Sequence, residues 1–219
     1  MITYNDIKNN TMIKSYIEAA DKSLLALGYT EHSFAHVTKV AEDAAYILTT
    51  LGYDNREIEL AKIAGFLHDI GNLVNRVDHS QSGALMSFRI LDKLEMDPTE
   101  ISLIVAAIGN HDEGTGVAVN PIAAALIIAD KCDVRRSRVR NNNIQSFDIH
   151  DRVNFSVTKS IVKVDKENKD IYLILEIEDS ISPVMEYFEI FLNRMLMCKN
   201  AAKTLGLKFK LIINNQKIM

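Results

Sequence analysis

The sequence contains no tryptophan, three prolines and only two cysteines among its 219 residues. The two cysteines, Cys132 and Cys198, are too far apart in the chain to form a metal-binding cysteine motif. Such sparing use of cysteine is typical of proteins in a reducing compartment, so we expect a cytoplasmic protein.

Long apolar runs and an excess of basic residues are also absent. No stretch reaches the roughly 20 apolar residues that a transmembrane helix needs. The first ten residues, MITYNDIKNN, lack the basic and then apolar order of a secretory signal. The net charge of −4 argues against general binding to nucleic acids or to anionic membranes.

The residues that are present predict a mainly α-helical protein. Hydrophobic residues make up 47% of the chain and charged residues 25%, which is an ordinary globular balance. Apolar residues recur at helical spacing through the first part of the sequence. The predicted helices cover approximately residues 13–27, 33–51, 55–70, 80–94, 98–110 and 121–134.

The pattern changes in the last third of the chain. Residues 135–152 are polar and predict a loop. The segments FSVTKSIVKV and DIYLILEIE alternate apolar and polar residues around KENK, which predicts a β-hairpin. Helical spacing returns over residues 182–205, and LKFKLII then predicts a last strand. We therefore expect a helical domain over residues 1–145 and a small α+β subdomain, in the order strand, strand, helix, strand, over residues 146–219.

Asp130 occupies an unusual position for a carboxylate. It follows the uninterrupted apolar run Ile122–Ala129 and lies on the same helix face as Ala123, Leu126 and Ile127. An ionised carboxylate on a core-facing position needs compensation for its lost hydration. A metal ion, a basic side chain or a set of N–H donors could each supply it.

Several histidines share this kind of position, on an apolar helix face or at a helix end, and one of them is followed by a second aspartate. These residues are His36, His68, Asp69, His79 and His111. Packing of the helices would bring them together with Asp130. Nitrogen and oxygen ligands without thiolates suit iron, manganese, zinc or nickel better than a closed structural zinc site.

The ordered set of His36, the doublet His68-Asp69 in FLHDIG, and Asp130 in IIADK resembles the HD superfamily of metal-dependent phosphohydrolases. The resemblance covers approximately residues 30–140. His79 in HSQSGA and His111 in IGNHDEG also fall where the two-metal members of the superfamily carry additional histidines.

The resemblance implies a fold, a ligand set and a reaction. The fold would be an HD-type helical bundle, and all six residues would bind one or two divalent transition-metal ions, with iron or manganese favoured over nickel, cobalt or zinc. Asp69 would bridge two ions, with His36 and Asp130 completing one, and His79 and His111 the other. The protein would cleave a nucleotide or related small phosphate ester by attack of a metal-bound hydroxide, with His68 and Asp69 in the catalytic centre.

Two branches of the superfamily differ from this sequence. The cyclic-dinucleotide phosphodiesterases carry lysine after HDIG and a GYP motif, whereas this chain has Asn72 and no GYP. The branch that cleaves dinucleoside tetraphosphates is more similar in HSQSGA and IIADK but lacks the C-terminal appendage. Two alternatives remain open, namely a mixed-valence di-iron oxygenase of the same superfamily and a non-catalytic metal- or nucleotide-binding signalling module.

Basic residues near Asp130 are candidates for binding phosphate. Lys131 and Arg135 are four residues apart, so on a continuous helix they would share a face, and Arg76 is a third candidate. The alternative is that these cations only stabilise a solvated helix end. We interpret the second doublet, His150-Asp151, as a capping or salt-bridge cluster rather than a metal site.

Two further expectations concern the surroundings of the site. His32 is four residues before His36, so it either hydrogen-bonds a metal ligand or lies on the surface. The C-terminal subdomain carries no cluster of reactive residues, and we expect it to form a homodimer contact or a lid. A small-molecule phosphate is the expected binding partner.

Overall fold

The computed structural model describes all 219 residues, which form nine α-helices and one four-stranded sheet. The helices are α1 (Tyr4–Asn9), α2 (Thr11–Ala26), α3 (Phe34–Leu51), α4 (Asn55–Leu67), α5 (His79–Lys93), α6 (Pro98–Gly109), α7 (Pro121–Lys131), α8 (Ile149–Ser156) and α9 (Val184–Thr204). The strands are β1 (Val157–Asp165), β2 (Asp170–Ile177), β3 (Lys208–Ile213) and β4 (Gln216–Lys217). The predicted fold class, a helical bundle with a small α+β appendage, is confirmed.

Capping residues explain where the helices of the bundle begin. The side chains of Ser33, Asp54, Asp97 and Asn120 each accept hydrogen bonds from the backbone N–H groups of the helix that follows. Two of these helices, α6 and α7, also begin with proline. Proline fits the first turn because an N–H group at that position would have no partner within the helix. These local signals determine where the helices predicted from the periodicity begin.

Two short helices were not predicted from the periodicity. Helix α1 has only six residues, and Thr3 and Asp6 form a capping box at its start. Helix α8 lies in a segment for which the sequence predicts a loop and the beginning of a strand. That prediction is wrong for Ile149–Ser156, because Asp148 caps a helix there and β1 begins only at Val157.

The sheet has the order β1-β2-β3-β4. Strands β1 and β2 pair antiparallel as the predicted hairpin, whereas β2 and β3 pair parallel. Two parallel strands must be joined by a crossover connection. Helix α9, which lies between β2 and β3 in the chain, provides this connection and packs against the sheet. The short β4 then pairs antiparallel with β3 and was not predicted.

Helix α7 lies at the centre of the molecule. Residues Ile122–Ala129 are all buried, and α7 packs against α3, α4, α6 and α9. A single hydrophobic core continues from the bundle into the sheet, and Cys132 and Cys198 meet there with their Sγ atoms 3.9 Å apart. The division of the chain after residue 145 stays a prediction. No helix has the length and apolar character that crossing a membrane requires.

Candidate metal centre and adjoining cavity

Five helices bring six metal-capable side chains to one point inside the bundle. His36 lies in the first turn of α3, and His68 and Asp69 directly follow α4. His79 is the first residue of α5, and His111 follows the C-terminal cap of α6. Asp130 lies in the last turn of α7. The four histidines are at most 2% exposed, so the centre belongs to the protein interior.

The first half of this centre contains two histidines and two carboxylates. The Nε2 atom of His36 lies 3.5 Å from Asp69 Oδ2 and 3.4 Å from Asp130 Oδ1. The Nε2 atom of His68 lies 3.2 Å and 3.6 Å from the same two oxygens. Four potential ligand atoms therefore surround one point, in a mixture of nitrogen and oxygen that transition metals accept.

The second half uses the other oxygen of Asp69. The Nε2 atoms of His79 and His111 lie 3.5 Å and 4.0 Å from Asp69 Oδ1, and 3.1 Å from each other. Asp69 thus presents one oxygen to each half of the centre. This arrangement fits the bridging role that the family resemblance implies for it.

Hydrogen bonds on the outer side of each ring determine which imidazole nitrogen faces inward. In every case Nδ1 is bound to an oxygen outside the centre: Asp133 Oδ2 for His36, Gly65 O for His68, Arg76 O for His79 and Ile108 O for His111. Carbonyl and carboxylate oxygens accept, so Nδ1 donates and, in the neutral imidazole, the lone pair lies on Nε2.

Two of the four inward-facing nitrogens have no hydrogen-bond partner in the protein. The Nε2 atoms of His36 and His68 are buried and have no hydrogen-bond partner. Buried polar atoms without partners are rare, and a bound cation would satisfy them. The donor set therefore fits a transition-metal centre. The roles of the six residues as ligands stay predictions, with which this geometry agrees.

The electrostatics of the centre are those of a cation site. Burial lowers the pKa of His68, but the carboxylates of Asp69 and Asp130 outweigh burial and raise that pKa to about 10. Burial and the positive charges of His68 and Lys131 lower the pKa of His111 to about 3. The first half therefore attracts positive charge strongly, whereas the histidines of the second half remain neutral and able to coordinate.

Asn72 and Asp133 support the centre from outside, and no role was predicted for either. The Nδ2 atom of Asn72 donates to Asp69 Oδ1 at 2.9 Å, which orients the shared carboxylate. Asp133 is 1% exposed and accepts from His36 Nδ1 at 2.8 Å. Helical spacing gives no signal for Asp133, because α7 ends at Lys131 and the loop after it decides where this side chain lies.

We expect Asp133→Asn to weaken metal binding by roughly 10- to 100-fold, because His36 loses the carboxylate that fixes its ring and strengthens its basicity. Metal affinity measured by competition with a chromophoric chelator checks this. Asp179→Asn, on the exposed turn before α9, is the matched control and should bind metal like the wild type. Equal affinity in both variants would remove Asp133 from the metal centre.

A cavity of about 390 Å³ opens beside the metal centre. Asp69, His79 and Asp130 form part of its wall, so a ligand in the cavity would reach the centre directly. Most of the remaining wall comes from the loop between α2 and α3, from α8 and from α9. The C-terminal elements thus complete a cavity that the bundle alone would leave open.

Two of the three predicted phosphate-binding residues, Lys131 and Arg76, line this cavity. Lys131 is buried and lies 2.9 Å from Asp130 Oδ2 and 3.5 Å from Glu113 Oε1. Burial lowers the pKa of Lys131, but Asp130 and Glu113 outweigh it and raise that pKa, so the ammonium stays charged. Arg76 lies 3.4 Å from His79 Nε2.

The prediction that Arg135 shares a helix face with Lys131 is wrong, because α7 ends at Lys131. Arg135 is not part of the cavity wall. Its Nε donates to Asp133, and its Nη2 lies 3.4 Å from Glu31. Arg138 and Arg194, which were not among the predicted phosphate-binding residues, line the cavity instead. Which arginines line the cavity depends on the conformation of the loop after α7 and on the packing of α9. Neither can be predicted from the helical spacing of apolar residues.

The second doublet also lies in a different place from the one expected. His150 and Asp151 belong to α8 and line the cavity, together with the capping residue Asp148. The residue that caps α8 is Asp148, which accepts from the backbone N–H of Asp151, rather than either member of the doublet. His32 lines the cavity as well, and its Nδ1 is 2.7 Å from Thr30 O rather than bonded to a predicted ligand.

Comparisons with known proteins agree with this site. The HD domain family model matches residues 33–135, a range that contains all six residues of the centre. The chain is 28% identical over 142 residues to Ribonuclease Y of Campylobacter concisus, an alignment that covers 65% of this chain and 26% of that protein. It is 31% identical over 119 residues to Ribonuclease Y of Campylobacter curvus, covering 54% and 21%. The chain therefore spans about a quarter of the length of these relatives.

Two further relatives are more similar in length. The uncharacterized protein MJ1020 of Methanocaldococcus jannaschii is 24% identical over 208 residues, covering 84% of this chain and 80% of that protein. A crystal structure of a predicted HD superfamily hydrolase from an uncultured Thermotogales bacterium is 22% identical, with a TM-score of 0.43, covering 62% of this chain and 75% of that one.

Proposed function

The chain is an HD-domain protein, and on that premise we propose that it is a metal-dependent phosphohydrolase that cleaves a nucleotide or a related small phosphate ester. The observation that carries the proposal is the joint arrangement of six inward-facing ligand side chains and a cavity lined by basic side chains. The first element is suited to a divalent cation and the second to an anionic ester.

His36, His68 and Asp130 would hold one metal ion, and His79 and His111 a second, with Asp69 shared between them. Bound ions of this kind act as Lewis acids that activate water and offset negative charge on a phosphoryl group. The chain's own contribution is to hold the ligand atoms in place. The outer hydrogen bonds of the four imidazoles do this, so little reorganisation is needed when the cations bind.

Lys131 and Arg76 would bind and orient the ester. Lys131 is fixed between Asp130 and Glu113, with its charge at the border of the metal centre and the cavity. Arg76 is held next to His79 by its 3.3 Å hydrogen bond to Asn72 Oδ1. Both cations would attract a phosphate group toward the metal centre and exclude uncharged ligands.

The size of the cavity favours a small substrate. About 390 Å³ lies near the lower end of the range for sites that bind small molecules. The relatives named as ribonucleases act on RNA by their name, so an RNA oligonucleotide belongs among the tested substrates. The proposal also includes iron or manganese as the native metal. It further includes a cytoplasmic location and a homodimer that forms through the C-terminal subdomain.

A screen of phosphate esters tests this function. Nucleoside monophosphates, nucleoside triphosphates, a dinucleoside tetraphosphate, a sugar phosphate and a short RNA would be incubated with the protein and Mn²⁺, Fe²⁺ or Ni²⁺. We expect release of phosphate or nucleotide from at least one small ester, loss of this activity after chelation, and recovery on adding metal. Oxygen consumption with Fe²⁺ in place of hydrolysis would contradict the proposal and favour an oxygenase.

A further inference from the structure

Arg138 is a buried guanidinium held in one orientation by two backbone carbonyls. The residue is only 5% exposed. Its Nε donates to Glu31 O and its Nη1 donates to Asp133 O, both at 2.9 Å. Carbonyl oxygens are neutral acceptors, so these bonds fix the guanidinium plane without neutralising its charge.

The nearby carboxylates are occupied mainly by other groups. Asp133 Oδ2 lies 3.8 Å from Arg138 Nη1 but only 2.8 Å from His36 Nδ1. Asp133 Oδ1 accepts from Arg135 Nε at 2.8 Å, and the second local acid, Glu31, is 3.4 Å from Arg135 Nη2. Arg135 therefore takes the shorter contact with each of the two acids, and Arg138 keeps only the longer, 3.8 Å contact to Asp133.

One nitrogen of Arg138 has no protein partner, and the residue lines the cavity. Nη2 makes no hydrogen bond to the protein, and Arg138 forms part of the cavity wall together with Asp69 and Asp130. Buried arginine donors are almost always paired, so an unpaired donor on a residue of the cavity wall points to a ligand that supplies the acceptor. An oxyanion is the natural partner of a fixed guanidinium, because the charge strengthens the hydrogen bond.

We propose that Arg138 is the principal anion-binding residue of the cavity and that its Nη2 donates to a phosphate oxygen of the bound ester. This inference rests on the proposed function, for which it names the phosphate contact. It also assigns a task to the segment after α7, because the carbonyls that hold Arg138 belong to the loop before α3 and to Asp133.

The test uses inorganic phosphate as the probe and the full-length protein loaded with Mn²⁺. We expect Arg138→Gln to raise the Kd for phosphate, measured by calorimetry, by roughly 10- to 100-fold, which corresponds to the loss of one charge-assisted hydrogen bond. The Kd of Arg138→Lys should lie between those of the wild type and Arg138→Gln, because lysine keeps the positive charge but lacks the planar guanidinium. Metal content, measured on each sample, should equal that of the wild type.

Arg136→Gln is the matched control, because Arg136 belongs to the same basic segment but bonds to Phe155 O and Glu178 and is not part of the cavity wall. It should bind phosphate like the wild type. Unchanged phosphate affinity in Arg138→Gln with full metal content would overturn the assignment, as would an equal loss in Arg136→Gln.

A second measurement needs no variant and covers the case in which Arg138→Gln fails to fold or loses metal. Phenylglyoxal modifies accessible arginines, and peptide mass mapping locates the adducts. In the wild-type protein we expect Arg138 to react slowly and to be protected by phosphate, whereas Arg136 should react equally with and without it. Absence of protection at Arg138, or absence of any reaction there, would contradict the proposal.

The two proposals can fail separately. If phosphate binding depends on Arg138 but no ester is hydrolysed, the proposed reaction is wrong and the anion site stands. If esters are hydrolysed and Arg138→Gln binds phosphate normally, the reaction stands and the assignment of Arg138 is wrong.

Discussion

Replacing Asp69 by alanine is expected to abolish metal loading and hydrolysis while leaving the helices intact. Asp69 is the one side chain that faces all four histidines, with Oδ2 toward His36 and His68 and Oδ1 toward the other two. Its loss removes a ligand from both halves of the centre. Because a single electrostatic group in an active site is typically worth 10²–10³ in rate, we expect kcat/KM to fall by on the order of 10³ or more.

Metal content by plasma mass spectrometry and hydrolysis of the best ester from the screen measure the two effects. Circular dichroism distinguishes a loss of metal or activity from unfolding. We expect a helical spectrum like that of the wild type, because the variant removes a buried charge and leaves the hydrophobic core unchanged. Asp92→Asn, on the exposed side of α5, is the control and should match the wild type. Full activity or full metal content in Asp69→Ala would contradict the shared role of this carboxylate.

Replacing Gly71 by alanine should produce the largest loss of stability among single-methyl changes near the site. A Cβ atom at Gly71 would lie 2.0 Å from His79 O and 2.4 Å from Gly83 N, both backbone atoms of α5. The turn that carries Asp69 and the start of α5 would have to separate. Overpacking of a core typically destabilises by about 1–3 kcal/mol, and with backbone on both sides we expect about 3 kcal/mol. For a chain of this size that lowers Tm by roughly 10 °C.

The same shift would move His79 away from Asp69, so we expect Gly71→Ala to weaken metal binding as well. Thermal unfolding followed by circular dichroism, with and without Mn²⁺, measures both consequences. Gly114→Ala is the matched control, because a Cβ there meets nothing within 4 Å. Its Tm should lie within about 2 °C of the wild type. A Tm for Gly71→Ala equal to that of Gly114→Ala would show that the close approach is not a constraint.

The sequence could predict that the six candidate ligands come together, because each lies on an apolar helix face or at a helix end that packs into the core. Asp130 directly follows eight apolar residues, and α7 is buried on every side, so its position had to be interior. The same reasoning placed His68 and His111 in the core. Helix starts depend on local caps such as Asp54 and Asp97, which act within one turn and need no tertiary contact.

The surroundings of the centre could not be predicted, since they depend on loops and on contacts between distant segments. Arg135 was expected in the cavity on the assumption that α7 continues, but α7 ends at Lys131 and Arg138 lines the cavity instead. Arg194 reaches the cavity only because α9 packs against α7. The parallel pairing of β2 and β3 likewise arises from the crossover through α9 and leaves no mark on the alternation of either strand.

The most direct test of the account is the metal content of the wild-type protein after purification from metal-replete cells. Six inward-facing ligands divided by Asp69 into two halves predict about two transition-metal ions per chain. The measurement is made by plasma mass spectrometry with protein concentration from amino-acid analysis. A content close to two, lost in Asp69→Ala, is the predicted result. A content near zero in the folded wild-type protein would contradict the metal centre.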